Sequence, residues 1–546
     1  MARYRARRDS VSDAQQRFAQ IASTSLPRSV FDRSRSLKTT LDAGDLVPIF
    51  WDEALPGDTI ALQTSLFARL ATPLVPVMDN IKMDVHFYAI ANRLLWDNWQ
   101  KFMGEQDNPS DSVSFVTPKV SRGTPAAQQR LWNYFGLPME NSVAGTEVVA
   151  FWHRAYNLTW NQWYRDENLQ DSVTIHTDDG PDPANSYAVL PRGKRKDYFT
   201  SCLPWPQKGP DVTIGFGASA DVIPDPLGDG EPSFRRASQA PGSNVTKLSI
   251  GGVPTDNIVR TATTQLSGAE NFQWEDSQLI ADLANATATS INSIREALSL
   301  QHLLERDARG GTRYTEIIRS HFGVISPDMR LQRPEYLGGG TTTINFNPVP
   351  QTSRTISSGG DESAQGNLAA FATASDVYPS FVHSFTEHCV VIGLASIRID
   401  LSYQEGLHKM WTREDKYDYY WPALAGLGEQ AVLNKEIYFQ NAPGTGATDD
   451  DGVFGYQERW AEYKYAPSVV TGDMRSSDAQ SLDIWHLSEE FSALPTLGDA
   501  FIQVTGAPIT RALAVTNEPQ FKLDMYHSVR HIRPMPMYNT PGLRRF

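Results

Sequence analysis

Apolar and polar residues alternate in several widely separated runs, with helical or irregular spacing between them. "TIALQTSLFARLAT", from Thr59, alternates regularly, the pattern of a strand with one buried face. "MDVHFYAIANRLL" (83–95) begins as a second strand and passes into helical spacing. There "LLWDNWQKFMG" sets Leu95, Trp99 and Phe102 on one helical face, with Gly104 as the stop. Two further helices are predicted, at "AAQQRLWNYFGLP" and at "EVVAFWHRAYNLTWNQWYRDE". The second carries Phe151, Tyr156, Trp160 and Trp163 at near-helical intervals, a stripe of the kind that packs a core or an interface. "YFTSCLPWPQKGP" (198–210) reads as an extended corner held by prolines. Helical spacing returns in "DSQLIADLANATATSINSIREALSLQHLLERDARGG", where Ile291, Ile294, Leu298 and Leu303 form a stripe that Gly310 and Gly311 end. After Gly323 the chain reads as loop through "PEYLGGGTTTINFNPVPQTS". "HCVVIGLASIRIDLSY" (388–403) is a nearly unbroken apolar run and predicts a central strand, with further strands at 453–463, 481–487, 500–505 and 521–533. Strands this far apart in sequence must pair across long insertions. That predicts a mainly β sandwich or jelly roll rather than a wound α/β fold.

Three segments stand apart from this pattern. Residues 1–40 read as a basic N-terminal arm, residues 534–546 as an extended tail, and residues 210–275, rich in Gly, Pro, Ser and Asp, as a surface insertion in the single domain 41–546. The formal charge is −14, unevenly spread. Residues 1–40 hold nine basic and three acidic side chains, residues 521–546 five and one, so the body between them carries −24. An acidic body with basic ends is the asymmetry expected when the termini meet a polyanion. Cys202 and Cys389 are the two cysteines, and with no export signal in view they are expected as buried free thiols. No apolar run approaches the length of a membrane span, so no membrane insertion is expected.

Catalytic and ligand-binding patterns fail on inspection. "GFGASA" (215–220) matches a dinucleotide fingerprint, but "DVIPDP" follows where a helix must begin. "ATDDDGVFGYQE" (447–458) has Asp449, Asp451, Gly452 and Glu458 at calcium-loop spacing, with Ala447 at the first ligand position. His383, His388 and Cys389 lack a fourth zinc ligand, and His527 and His531 lie on a strand that separates them. Glu489–Glu490 and Asp52–Glu53 are carboxylate pairs with nothing to place them in a cleft. No catalytic residue, cofactor or metal is expected, and the chain is not expected to be an enzyme.

Longer segments carry a family likeness. "RSVFDRSRSLKTTLDAGDLVPIFWDEALPGDTIALQTSLFARLATPLVPVMDNIKMDVHFYAIANRLLWDNWQKFMGEQ" (28–106) resembles the opening of the major capsid proteins of the Microviridae, especially their gokushovirus-like branch. "YFTSCLPWPQKG" (198–209), "SINSIREALSLQHLLERDARGGTRYTEIIRSHFGV" (290–324), "RPEYLGGG" (333–340) and "FGYQERWAEYKYAPSVVTGDMRS" (454–476) agree in the same order. The resemblance implies an eight-stranded antiparallel jelly roll with long loop and helical insertions. It also implies a small T=1 icosahedral shell around circular single-stranded DNA, with residues 210–275 projecting outward and a candidate for host attachment. The expected partners are further copies of the chain, the packaged DNA, a small basic DNA-binding protein, a minor pilot protein and a host surface receptor. The expected location is the virion, and the host cytoplasm during assembly. In this setting Arg3, Arg5, Arg7 and Arg8, with Arg544 and Arg545, are candidate phosphate contacts. Tyr456, Trp460, Tyr463 and Tyr465, interleaved with charges in a stretch read as a strand and a Pro-limited corner, are candidate subunit contacts. The alternative is a β-rich glycan-binding or glycan-hydrolysing protein, which the missing export signal disfavours.

Overall fold

A computed structural model describes residues 27–538, apart from 113, 123–125, 140–145, 213–221, 225–232, 237–245, 254–255, 262–271, 277–278, 282–290, 326–331, 357–361, 364 and 442–448. The chain divides into two compact units, residues 1–206 with 310–546, and residues 207–309.

The larger unit is built on β1 (Ser29–Asp32), β2 (Arg35–Leu41), β3 (Val47–Ala54), β4 (Thr59–Leu70), β5 (Ile81–Ala91), β6 (Glu335–Pro350), β7 (Leu368–Ser384), β8 (Cys389–Ile399), a hairpin of β9 (Glu429–Leu433) and β10 (Val453–Glu458), and β11 (Phe521–Arg533). Pairing runs β1/β2–β11–β4–β7–β6–β5–β8–β3, antiparallel throughout. β1 and β2 lie end to end on β11 with one register, Ser29 opposite Arg533 and Arg35 opposite His527, so they fill one strand position of eight. Cut between β7 and β6, this order is two four-stranded halves, each mixing strands from both ends of the chain. That is the connectivity of a jelly roll.

The core lies between the halves. Ile60, Leu62 and Leu66 of β4, Met83, Val85 and Phe87 of β5, Val391 and Ile397 of β8, and Leu523, Met525 and Val529 of β11 meet there. β4 and β11 alternate buried and open positions because their second face is uncovered. β5 and β8 do not alternate, because a second cluster covers their other face. There Tyr88, Ile90, Ile392 and Leu394 pack against Phe151, Ala155 and Tyr156 of an α-helix, Phe151–Trp163. The near-continuous apolar run at 388–403 is therefore a central strand covered on both sides, and the aromatic stripe at 151–163 is core. A third cluster joins Tyr198, Phe199 and Cys202 to Val432, Phe454, Phe501 and Ile502, fixing the chain between β8 and β11 to the corner at 198–203.

The smaller unit holds an antiparallel four-stranded sheet in the order Asp256–Thr261, Thr246–Val253, Ser233–Arg236, Phe272–Asp276, a two-stranded pair of Val222–Pro224 with Leu279–Ala281, and the helix Ile291–Arg309. The helix carries the stripe expected from the sequence but begins at Ile291. Leu279–Ala281, expected inside it, is strand.

Other expectations are corrected. The segment read as loop from Pro334 is largely β6, a strand of 16 residues. Its glycines answer to crowding: a Cβ on Gly339 would lie 2.1 Å from the Val85 carbonyl oxygen. Residues 481–487 hold a 3₁₀ turn at Asp483–Trp485, and 500–505 overlap a helical turn at Asp499–Ile502 in which the consecutive Phe501 and Ile502 are both buried. The helix expected around Leu95 is one turn, Trp99–Phe102. Both cysteines are buried free thiols, pushed up to about 12 by burial. No described helix is long and apolar enough to cross a membrane.

Buried histidines make this fold acid-sensitive. Burial holds His86, His153 and His527 down to about 4, against about 6.5 in an unfolded chain. Between those values the unfolded chain binds more protons. Stability is therefore complete above pH 6.5 and falls toward pH 4, by up to about 1.4 kcal/mol per pH unit per histidine. Burial raises the carboxyls of Asp45, Asp79, Glu436 and Glu489, which act in the opposite sense. Urea unfolding of dissociated subunits is expected to give a lower midpoint at pH 5 than at pH 7, with a smaller difference in His527→Gln. Equal midpoints in the unmodified protein would refute the account.

Candidate assembly surface

The segment between β8 and β11 is organised by a short hairpin. β9 pairs with β10, Glu429 opposite Glu458 and Ala431 opposite Tyr456. The strand expected over 453–463 stops at Glu458, because Trp460 adopts a left-handed backbone (φ 70°) and the chain turns into one helical turn, Ala461–Lys464. Such a conformation for a bulky residue persists only where its surroundings fix it. Here they do: the Trp460 backbone N–H donates to Gln430 Oε1 (3.3 Å), and its indole N–H donates to the Leu424 carbonyl (3.1 Å). Beneath it, buried Glu462 accepts from Gln430 Nε2 (2.6 Å) and from Arg413 (3.3 Å).

Over this base lies a layer of open aromatic rings. The Arg413 guanidinium lies 4.2 Å from the centroid of Tyr463 and 5.5 Å from that of Tyr419, while Tyr420 meets Trp460 edge-on at 5.7 Å. Trp411 is 72% exposed, Trp421 51%, Tyr463 49% and Tyr465 62%, and Tyr417, Tyr419 and Tyr420 are also open. Of the four candidate contact residues, Tyr463 and Tyr465 face solvent and Tyr456 is half-buried, its backbone paired with Leu203. Trp460 is 4% exposed and acts as the support that orients the others. Sequence reasoning passed over the richer half of the patch, "MWTREDKYDYYWP" (410–422), although five aromatics in so short a polar run was a signal in plain view. Residues 409–421 and 458–465 together carry five cationic and five acidic side chains, so the surface is aromatic and electrically balanced.

The arginines proposed at the termini, Arg3, Arg5, Arg7, Arg8, Arg544 and Arg545, lie outside the described residues. So do Ala447 of the calcium-like loop and the segment "GFGASA". Of the acids of that loop, Asp451 pairs with Lys435 (2.6 Å) and Glu458 with Lys464 (2.5 Å), and the Asp449 carbonyl accepts from Asn434 Nδ2 (2.8 Å). His388 packs on Trp99, and His383 stands 3.7 Å from Glu335. His527 bonds Thr64 and the Ile49 carbonyl, and buried His531 stands 3.4 Å from Asp52. Of the carboxylate pairs, Asp52 is held by Arg33 and Glu489 by Lys194. His176, Asp178 and Asp182 bring ligand atoms within 4.8 Å of one another, but Arg154 already pairs with both acids. Among the described residues, then, these polar groups lie against side chains and backbone of this protein.

Comparison with known proteins gives the family. Residues 19–543 match the model of the phage capsid protein (F protein) family. The chain belongs to that family. It is 46% identical to capsid protein VP1 of Bdellovibrio phage phiMH2K, over 97% of this chain and 98% of the relative. It is 42% identical to capsid protein VP1 of Chlamydia phage 1, over 97% and 98%. To capsid protein VP1 of Spiroplasma virus 4 it is 35% identical, over 97% of each. The likeness to Microviridae capsid proteins thus extends nearly end to end. The chain is a structural capsid protein of the virion, and the glycan-active alternative falls away.

Proposed function

We infer that this capsid protein assembles with further copies of itself into a small T=1 icosahedral shell enclosing circular single-stranded DNA. The observation that carries the reading is the set of exposed aromatics, Trp411, Trp421, Tyr463 and Tyr465, that two neighbouring segments of the jelly-roll body present. Apolar patches of this kind mark interaction sites, and Tyr, Trp and Arg are the residues that dominate contact energy. Its balanced charge suits a protein neighbour better than a polyanion. The heterologous contacts of a closed shell require several patches per chain, which long insertions supply. Purified protein viewed by electron microscopy and light scattering is expected to form uniform closed particles. A stable monomer under every assembly condition would count against the reading.

The basic ends are the counterpart of the enclosed strand. Arg3, Arg5, Arg7 and Arg8 face inward in this account and neutralise phosphates, with Arg544 and Arg545 in a secondary role, alongside a small basic DNA-binding protein and a minor pilot protein. Residues 210–275 project outward as a host-receptor contact. Deleting residues 2–8 removes four arginines, so particles are expected to hold less DNA and to lose it at lower salt. Unchanged DNA content and salt sensitivity would remove the arm from the account.

A further inference from the structure

We propose that a cleft at the end of the Phe151–Trp163 helix binds a phosphate group through Arg192, with Arg398 and Arg165 beside it. The cleft has a volume of about 510 Å³. Six cationic side chains line it, Arg165, Arg192, Lys194, Lys196, Arg313 and Arg398, against the carboxylates of Asp166 and Glu167.

Most of those cations are spoken for. Lys196 pairs with Asp166, Arg313 with Glu167, Lys194 with Glu489 (2.6 Å) and Arg398 with Asp84 (Nε to Oδ2, 2.9 Å). Arg165 and Arg192 have no carboxylate within ion-pair distance among the described residues. One Arg165 N–H donates to the Gln170 carbonyl (2.9 Å), while its Nε is buried without a partner. Arg192 is more extreme. Its Nε is also buried without a hydrogen-bond partner, its guanidinium lies 4.5 Å from the centroid of the Tyr164 ring, and its charge reaches the Asp84 carboxylate from beyond ion-pair distance. Asp84 feels the charge of Arg192, but its direct contacts go elsewhere: it accepts from Thr341 (2.6 Å) and pairs with Arg398 and Arg195. Buried polar donors are normally satisfied, so the buried, unpartnered Nε of the half-buried Arg192, lining a cleft, points to a missing acceptor.

The surrounding charges agree. Burial, and then Arg192, holds the Arg398 guanidinium below its ordinary value, and the same two causes hold His86 down. Guanidiniums in each other's field, with N–H groups to spare, match the charge and forked geometry of an oxyanion. The aromatic walls narrow the choice further. Arg333 lies 4.7 Å from the Trp163 ring, the indole N–H donates to the Pro334 carbonyl (2.9 Å), and Tyr164 carries Arg192 itself. The walls are engaged with side chains of this protein, so the cleft's unused capacity is its N–H donors, which read a phosphate and not a base. Free inorganic phosphate and the phosphodiester of a single strand share that chemistry, and the site stands whichever supplies it and whatever the shell geometry.

The test uses the full-length protein and labelled inorganic phosphate in equilibrium dialysis. The unmodified protein is expected to bind, Arg192→Gln to bind about tenfold more weakly or worse, and Arg192→Lys to retain part of the affinity. Displacement of phosphate by a short oligothymidylate identifies the strand as a source, and phosphate binding without displacement identifies the free anion. Chemical modification of arginines in the unmodified protein, read by mass spectrometry, checks the site without a variant: phosphate should protect Arg192. The proposal is overturned if the unmodified protein binds neither probe, if Arg192→Gln binds like it, if Arg192 is not protected, or if a particle reconstruction shows a neighbouring copy's carboxylate in the cleft.

Discussion

Replacing Arg154 by alanine is expected to destabilise the subunit by about 3–5 kcal/mol, enough to cost most of its soluble yield. Arg154 and Asp182 are both fully shielded from solvent. Arg154 Nε donates to Asp182 Oδ2 at 2.8 Å and its Nη2 to Oδ1 at 2.5 Å, while Nη1 donates to the Leu95 carbonyl at 2.8 Å. The Tyr187 hydroxyl completes the acid's shell at 2.5 Å. One side chain thus ties the Phe151–Trp163 helix to the turn after β5 and to the loop that carries Asp182. The alanine variant strands a carboxylate inside an aromatic cluster, and that uncompensated charge dominates the cost. Adding Asp182→Asn removes the charge, so the double variant should recover part of the loss. Urea unfolding of dissociated subunits measures both. A single variant within about 1 kcal/mol of the parent would sink the argument.

Arg154 also shows what the sequence could and could not disclose. Its helix was legible because Phe151, Tyr156, Trp160 and Trp163 recur at helical spacing. Its partner was not, because Asp182 lies 28 positions away across a loop that no periodicity describes. The same divide runs through the fold. β4 and β11 alternate, and β8 is an apolar run, so their existence followed from pattern alone. β6 was hidden because glycine tracks local backbone freedom in most loops, whereas here it tracks the close approach of Val85 and Ser380. The strands expected at 481–487 and 500–505 failed because adjacent apolar residues there are both buried by a turn, a pattern that a short strand mimics. On the proposed assembly surface, Tyr463 and Tyr465 were singled out through their charged neighbours, and both are exposed. The distinction between them and Trp460 was out of reach, since a left-handed backbone at a tryptophan leaves no mark on composition.

That distinction yields the second large effect. Changing Trp411 and Trp421 together to serine is expected to abolish particle formation at concentrations where the parent assembles, while the subunit's unfolding midpoint stays where it was. Both rings are more than half exposed, so the fold loses little with them. An aromatic at the centre of a contact is worth about 2 kcal/mol or more, roughly thirtyfold in affinity. In a closed shell each copy makes the same contact, so the loss recurs around the whole particle. Trp460→Ala should behave in the opposite order. Its ring is buried and its indole N–H supports Leu424, so the variant is expected to lower the unfolding midpoint first and to lose assembly as a consequence. Sedimentation velocity and thermal melting on the same samples separate the two outcomes. Normal particles from the double serine variant would move the contact elsewhere on the molecule, whereas a lowered melting point in that variant would mean the rings hold the insertion together and not its neighbours.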